Sequence, residues 1–236
     1  MLRIFISFAL VLSLGMAVNC WGQARIDVTE RSLRSSITEI LNNAKVSGSL
    51  AYWANCGEYE APITVGEVHS NRGSSERGSP VRALREVFAD DPKMQVTQES
   101  GGMIRMSETG VPRDLLDVMI SHISFKDREG RNGVWNPQQA RRLILEAPEL
   151  GGFMRVSNME ASESESINDI YGGAHSYQPH VSGDLYNVTL AEAMDYVLKS
   201  FPGFWVYGNC RREDGKRVVS FEIFGSMVRT DTKSAK

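Results

Sequence analysis

The stretch Val188–Phe224, VTLAEAMDYVLKSFPGFWVYGNCRREDGKRVVSFEIF, decides the fold because every element in it carries its own start and stop signals. Thr189 with Glu192 three residues later is a capping box, in which a hydroxyl and a carboxylate each take one of the amides left unpaired at a helix start. Leu190, Ala193, Met194, Val197 and Leu198 recur at helical spacing, and Pro202-Gly203 stops the helix. Val188, just before the cap, is placed to staple onto Ala193. The strand Phe204–Tyr207 follows, and Glu213-Asp214-Gly215-Lys216 supplies an Asp-Gly turn into Arg217–Phe224, where Val219, Phe221 and Ile223 alternate. The stretch predicts a helix packed beside a β-hairpin.

The same grammar occurs upstream. Ser79 is a cap, Pro80 occupies the first helical position, Val81, Leu84, Val87 and Phe88 face one way, and Pro92 closes the helix. A hairpin of Met94–Gln98 and Met103–Met106 follows through Ser100-Gly101-Gly102, where glycine permits the positive φ of a tight turn. Ile63–Val68 reads as a further strand. Asp27 and Glu30 open an earlier helix with Leu33, Ile37, Ile40, Leu41 and Ala44 on its apolar face, ending near Gly48 and leading into the strand Ser49–Trp53. In the middle, Asp117–Phe125 is extended. Asn136 caps a helix with Pro137 in its first turn and Ala140, Leu143, Ile144 and Ala147 inward, ended by Pro148; Gly151–Val156 starts another strand.

These elements predict an α+β protein made of two small βαββ-like units, with amphipathic helices packed on antiparallel or mixed sheets. The expected divisions are a signal peptide over 1–24, an N-terminal unit over 25–110 and a C-terminal unit over 111–236. The last contains a mobile Ser/Glu-rich loop at 157–179, whose Glu160–Ser166 run lacks apolar spacing.

The run Val188–Phe224 resembles the secretin and TonB short N-terminal domain, in its Val-Thr-Leu opening, its helix and the glycine that leads into a two-stranded ending. Residues 79–106 look like a second, weaker copy. The resemblance implies small βαβ-type modules of the bacterial envelope that oligomerise in secretin rings or contact periplasmic regulatory proteins. Met194 stands where that family usually has leucine, and neither a secretin channel nor a receptor barrel is expected after Phe224. What carries over is an expectation of a free-standing periplasmic interaction module, without gating or transport.

The first residues agree on compartment. Arg3 precedes an apolar run from Ile4 to Val18, and small residues at Gly22 and Ala24 close the stretch, the pattern of a secretory signal peptide cleaved after Ala24. An uncleaved anchor is the alternative, and Cys20 raises lipidation, although Asn19 stands where a lipidated cysteine normally has a small neighbour. The mature chain then holds no transmembrane segment. The formal charge of −3 lacks the basic footprint of a nucleic-acid binder.

Beyond the signal, the cysteines are Cys56 and Cys210. One disulfide between them is the structural reading, and a redox or nucleophilic pair is the functional one; neither a CxxC motif nor a cysteine-protease signature surrounds them. Each follows an asparagine and ends an aromatic strand that follows an amphipathic helix. An ancient duplication explains that, and so does coincidence in a common helix–Gly–strand arrangement.

Catalytic signatures such as GxSxG, HExxH, GxxxxGK[ST] and GxGxxG do not occur in the chain, and no cofactor or resident metal is implied. The best candidate for chemistry is His175 with His180, flanked by Glu163, Glu165 and Asp169, a donor set able to hold Zn²⁺. A polar surface loop is the plainer account. His69 and His122 stand alone, as a loop and a strand histidine. Tyr52, Trp53, Phe204, Trp205 and Tyr207 either fill the core or line a groove. Asn187-Val188-Thr189 matches a glycosylation sequon, but Thr189 is also the helix cap. The leading functional expectation is a non-catalytic secreted or periplasmic envelope protein, binding another protein or a wall component through sheet edges or an aromatic face. The alternative is a secreted, possibly metal-assisted hydrolase with its site at 157–180.

Overall fold

A computed structural model describes residues 33–56, 79–126, 130, 133–134, 136–162 and 180–225. The proposed signal peptide, the helix start at Asp27 and Glu30, the strand Ile63–Val68 and His69 lie outside the described residues, as do Glu163, Glu165, Asp169 and His175. The described residues form an α+β fold of five helices and eight strands in mixed sheets.

In chain order the elements are α1 (33–44), β1 (Gly48–Asn55), α2 (Pro80–Val87), β2 (Met94–Gln98), β3 (Ile104–Glu108), β4 (Met119–Phe125), α3 (Pro137–Leu145), α4 (Pro148–Val156), β5 (Met159–Ala161), β6 (Gly183–Thr189), α5 (Leu190–Ser200), β7 (Gly203–Arg211) and β8 (Arg217–Gly225). Six strands form one sheet in the order β2-β3-β1-β7-β8-β5, while β4 and β6 make a separate antiparallel ribbon. β1 runs parallel to both β3 and β7, so strands from either side of residue 110 share one sheet.

Strand alternation sorts the sheet's side chains onto two helix-covered faces. Leu50, Ile104, Met106, Phe204 and Val206 pack with Leu33, Ile37 and Leu41 of α1 and Leu84 of α2. Ala51, Trp205, Tyr207, Phe221 and Ile223 pack on the opposite face with α3, α5 and the ribbon. The central strands are therefore buried on both faces: β7 is buried from Gly203 to Cys210 and β8 from Val218 to Phe224.

The capping box at Thr189 is formed as read, with the Thr189 hydroxyl accepting from the Glu192 amide at 3.2 Å and the Glu192 carboxylate accepting from the Thr189 amide at 2.8 Å. Asn136 caps α3 through the Gln138 amide at 2.7 Å. Ser79 occupies the cap position of α2 without a side-chain bond. α1 ends before Gly48, in a Schellman turn at Lys45 (φ 54°), where the Val46 amide reaches Leu41 O and the Lys45 amide reaches Asn42 O.

Three boundaries differ from expectation. Gly151–Val156 is helical, not a strand: Pro148, instead of merely stopping α3, starts α4, and Leu150, Phe153 and Met154 then fall at i, i+3 and i+4 against the core. Met159–Ala161, inside the stretch read as a loop, is β5, parallel to β8. Residues 114–117 form a turn, and the strand read from Asp117 begins at Met119.

Candidate functional site

The Cys56–Cys210 disulfide is formed, with Cα atoms 5.2 Å apart, and it ties the ends of the adjacent parallel strands β1 and β7. Ala54, not Cys56, is the register partner of Cys210, so the bridge runs on a diagonal. Cys210 is fully buried. The pair is structural in place and needs no exchange chemistry to account for it.

The aromatic residues of these strands do not make an open face. Phe204, Trp205 and Tyr207 are core, divided between the two faces, and Tyr52 and Trp53 are half-buried. Burial is the first cause of the raised Tyr207 phenol, which stands at about 12, and burial followed by the nearby Glu222 carboxylate raises Tyr52 further. Phe204, Trp205 and Tyr207 thus follow the core reading, and Tyr52 and Trp53 pack at its margin.

The edges of the large sheet are occupied by side chains. Edge strands expose unpaired amides and carbonyls that invite other strands, and proteins block them with charged groups. On β2 the Arg85 guanidinium, from α2, donates to the outward Val96 carbonyl at 3.0 Å. β8 projects beyond the short β5, and there Arg141 and Gln138 of α3 donate to the carbonyls of Phe221 and Ile223. On the outer side of β4, the Glu149 carboxylate accepts from the Ser121 amide at 3.0 Å and from its hydroxyl, contacts that hold the Glu149 carboxyl below the usual range. None of these four guards was legible as such in sequence: Glu149, Gln138 and Arg141 reach strands distant along the chain, and Arg85, though it reaches the next strand, carries no local pattern that marks the contact.

The β4–β6 ribbon differs. Its inner face gives Ile123, Leu185 and Phe125 to the core, and its outer face carries His122 opposite Tyr186 and Ser124 opposite Asp184. The His122 and Tyr186 rings stack at 4.7 Å, and His122 Nε2 lies 2.9 Å from Asp184 Oδ1. Ser124 Oγ lacks a hydrogen bond of full geometry, yet its dipole and then the His122 ring hold the Asp184 carboxyl below its ordinary value. Tyr186 is 64% exposed, the most open aromatic side chain among the described residues. Asn187 is in the left-handed region (φ 52°) and the ladder skips Ser121 and Asn187, so beyond that point Ile120 turns inward instead. No described hydrogen bond is made on the outer side of Leu185 in β6.

The arrangement presents an aromatic and imidazole surface on the outer face of the ribbon. Serine, histidine and aspartate meet here, but Ser124 neighbours the carboxylate and not the imidazole's far nitrogen, so they do not form a relay to a nucleophile. His180 is described and lies against Gly133; His175 and the acidic residues proposed with it lie outside the described residues. Among the described residues no three His, Cys, Asp or Glu side chains converge as metal ligands. Sequence reading singled out His122 alone. Its partners Asp184 and Tyr186 sit about sixty residues downstream, and only the ribbon's register brings them together.

No protein-family model matches the chain, and no curated protein or solved structure matches it.

Proposed function

We propose that the chain is a non-catalytic secreted or periplasmic envelope protein that binds another protein, or a wall component, through the outer face of the β4–β6 ribbon. The observation that carries this reading is the exposed Tyr186 ring stacked on His122, beside the outer edge of β6. Tyrosine offers large contact area at small entropic cost, which suits a binding surface. The guarded edges elsewhere support the ribbon over the large sheet as the docking face. The disulfide supports an oxidising compartment, and among the described residues no helix is long and apolar enough to cross a membrane. The resemblance of Val188–Phe224 to the short N-terminal domain of secretins and transducing receptors points to the same class of role.

The test places a photo-crosslinking amino acid at Tyr186 and, as a control, at the exposed Glu39 on α1. Irradiation in the native envelope is expected to give a discrete adduct from position 186 and none from 39. Equal adducts at both positions, or none at 186, overturn the proposal. Stoichiometric zinc that is lost on His175→Ala and His180→Ala would put the metal-assisted hydrolase in its place.

A further inference from the structure

The edge strand β2 and its flanks, Lys93-Met94-Gln95-Val96-Thr97-Gln98-Glu99, form their own antiparallel complement. Turned about a two-fold axis through Val96, Lys93 of one copy falls opposite Glu99 of the other, Gln95 opposite Thr97 and Met94 opposite Gln98. Lys93 is 70% exposed, and Glu99, 50% exposed, keeps Arg105 as its own partner, so the facing Lys93 adds a second cation to a carboxylate already bound.

The backbone has the matching phase. The Thr109 amide bonds to Lys93 O and the Glu99 amide to Met103 O, so odd-numbered residues of this strand point their polar groups at β3. Met94, Val96 and Gln98 therefore point theirs outward, away from the sheet. On the two-fold axis the Val96 amide and carbonyl of each copy form an exchanged pair. One obstacle is built in: Arg85 already donates to that Val96 carbonyl through Nε at 3.3 Å and Nη2 at 3.0 Å.

We infer that β2 is a self-association edge, at which two copies of this chain pair antiparallel about Val96, and that Arg85 is the competing donor that holds the edge closed. The pairing is isologous, so it consumes both edges and stops at a dimer. It uses a different surface from the ribbon and stands or falls independently of the proposed function.

Sedimentation equilibrium on the disulfide-bonded protein tests it. Arg85→Ala is expected to tighten dimerisation at least tenfold over the parent. Gln98→Pro removes an outward amide and the Gln98 side-chain bond to Gly102 O, leaving the ladder to β3 intact, and is expected to return the Arg85→Ala protein to monomer. Lys93→Glu, which leaves the backbone untouched, sets like charges opposite Glu99 and is expected to weaken the Arg85→Ala dimer at least fivefold. Arg85→Ala no tighter than the parent, species larger than a dimer, or a dimer that survives both second substitutions would overturn the inference.

Discussion

At Gly203 the helix α5 turns into β7 with φ 155°, and a Cβ there would sit 2.0 Å from the Phe224 carbonyl oxygen of the neighbouring strand. Backbone cannot yield that distance, so Gly203→Ala is expected to destabilise the protein by more than about 3 kcal/mol, read as a fall in denaturation midpoint. A loss below about 1 kcal/mol would show that the two strands separate freely at that end. Lys45 gives the opposite sign. It holds a left-handed conformation at the end of α1, which costs a side chain roughly 1–2 kcal/mol, and Lys45→Gly is expected to recover about 0.5–1 kcal/mol of stability in the same measurement. Gly203 was readable in sequence as a helix stop. The need for glycine there was not, since it comes from Phe224, which only folding brings near.

Among elements, α5 is fastened to the sheet by a clamp that no local pattern announces. Arg105 of β3 donates to both oxygens of Asp195 on α5, at 2.8 and 2.5 Å, and to both of Glu99, at 2.8 and 2.9 Å. The Trp205 indole also donates to Asp195, at 2.7 Å. Arg105 and Asp195 side chains are 18% and 17% exposed, so removing Arg105 leaves a largely desolvated carboxylate, while removing Asp195 leaves Arg105 with Glu99 alone and takes the acceptor from the Trp205 indole. Asp195→Ala is expected to cost about 2–4 kcal/mol, and Arg105→Ala/Asp195→Ala less than the sum of the two single changes. Strict additivity in that cycle would mean the clamp contributes nothing as a pair. The helix face itself was plain from Leu190, Ala193, Met194, Val197 and Leu198, all buried. α4 was obscured because Gly151-Gly152 has poor helix propensity, which Leu150, Phe153 and Met154 override by packing.

For the molecule as a whole, ionisation sets a stability plateau with two sloping ends. Asp114, paired bidentately with Arg217 at 2.6 and 2.9 Å, has its carboxyl lowered by that partner against the opposing effect of burial, and Asp184, Glu149 and Glu160 are lowered as well. Groups lowered on folding stabilise above their unfolded values, near pH ~4, and lose that contribution as pH falls through the folded ones. Buried Tyr207, raised to about 12, acts in the opposite sense: its contribution is complete below the unfolded value and fades as pH climbs towards 12. The melting temperature is expected to be level between about pH 5 and 9 and to fall on both sides, with Asp114→Asn flattening the acid limb. An acid limb unchanged in that variant would remove Asp114 from the account.

β1 is the strand on which both halves of the large sheet meet, flanked by β3 and by β7, whose residues come more than 140 positions later. A chain is made from its N-terminus, so β1 exists for most of synthesis with one side unpaired, and Cys56 waits as a free thiol until Cys210 has emerged. Non-local parallel pairing of this kind is slow to form. The newborn chain is thus most vulnerable to capture by stray strands in the middle of its sequence, and its last elements act as the clasp that ends that exposure.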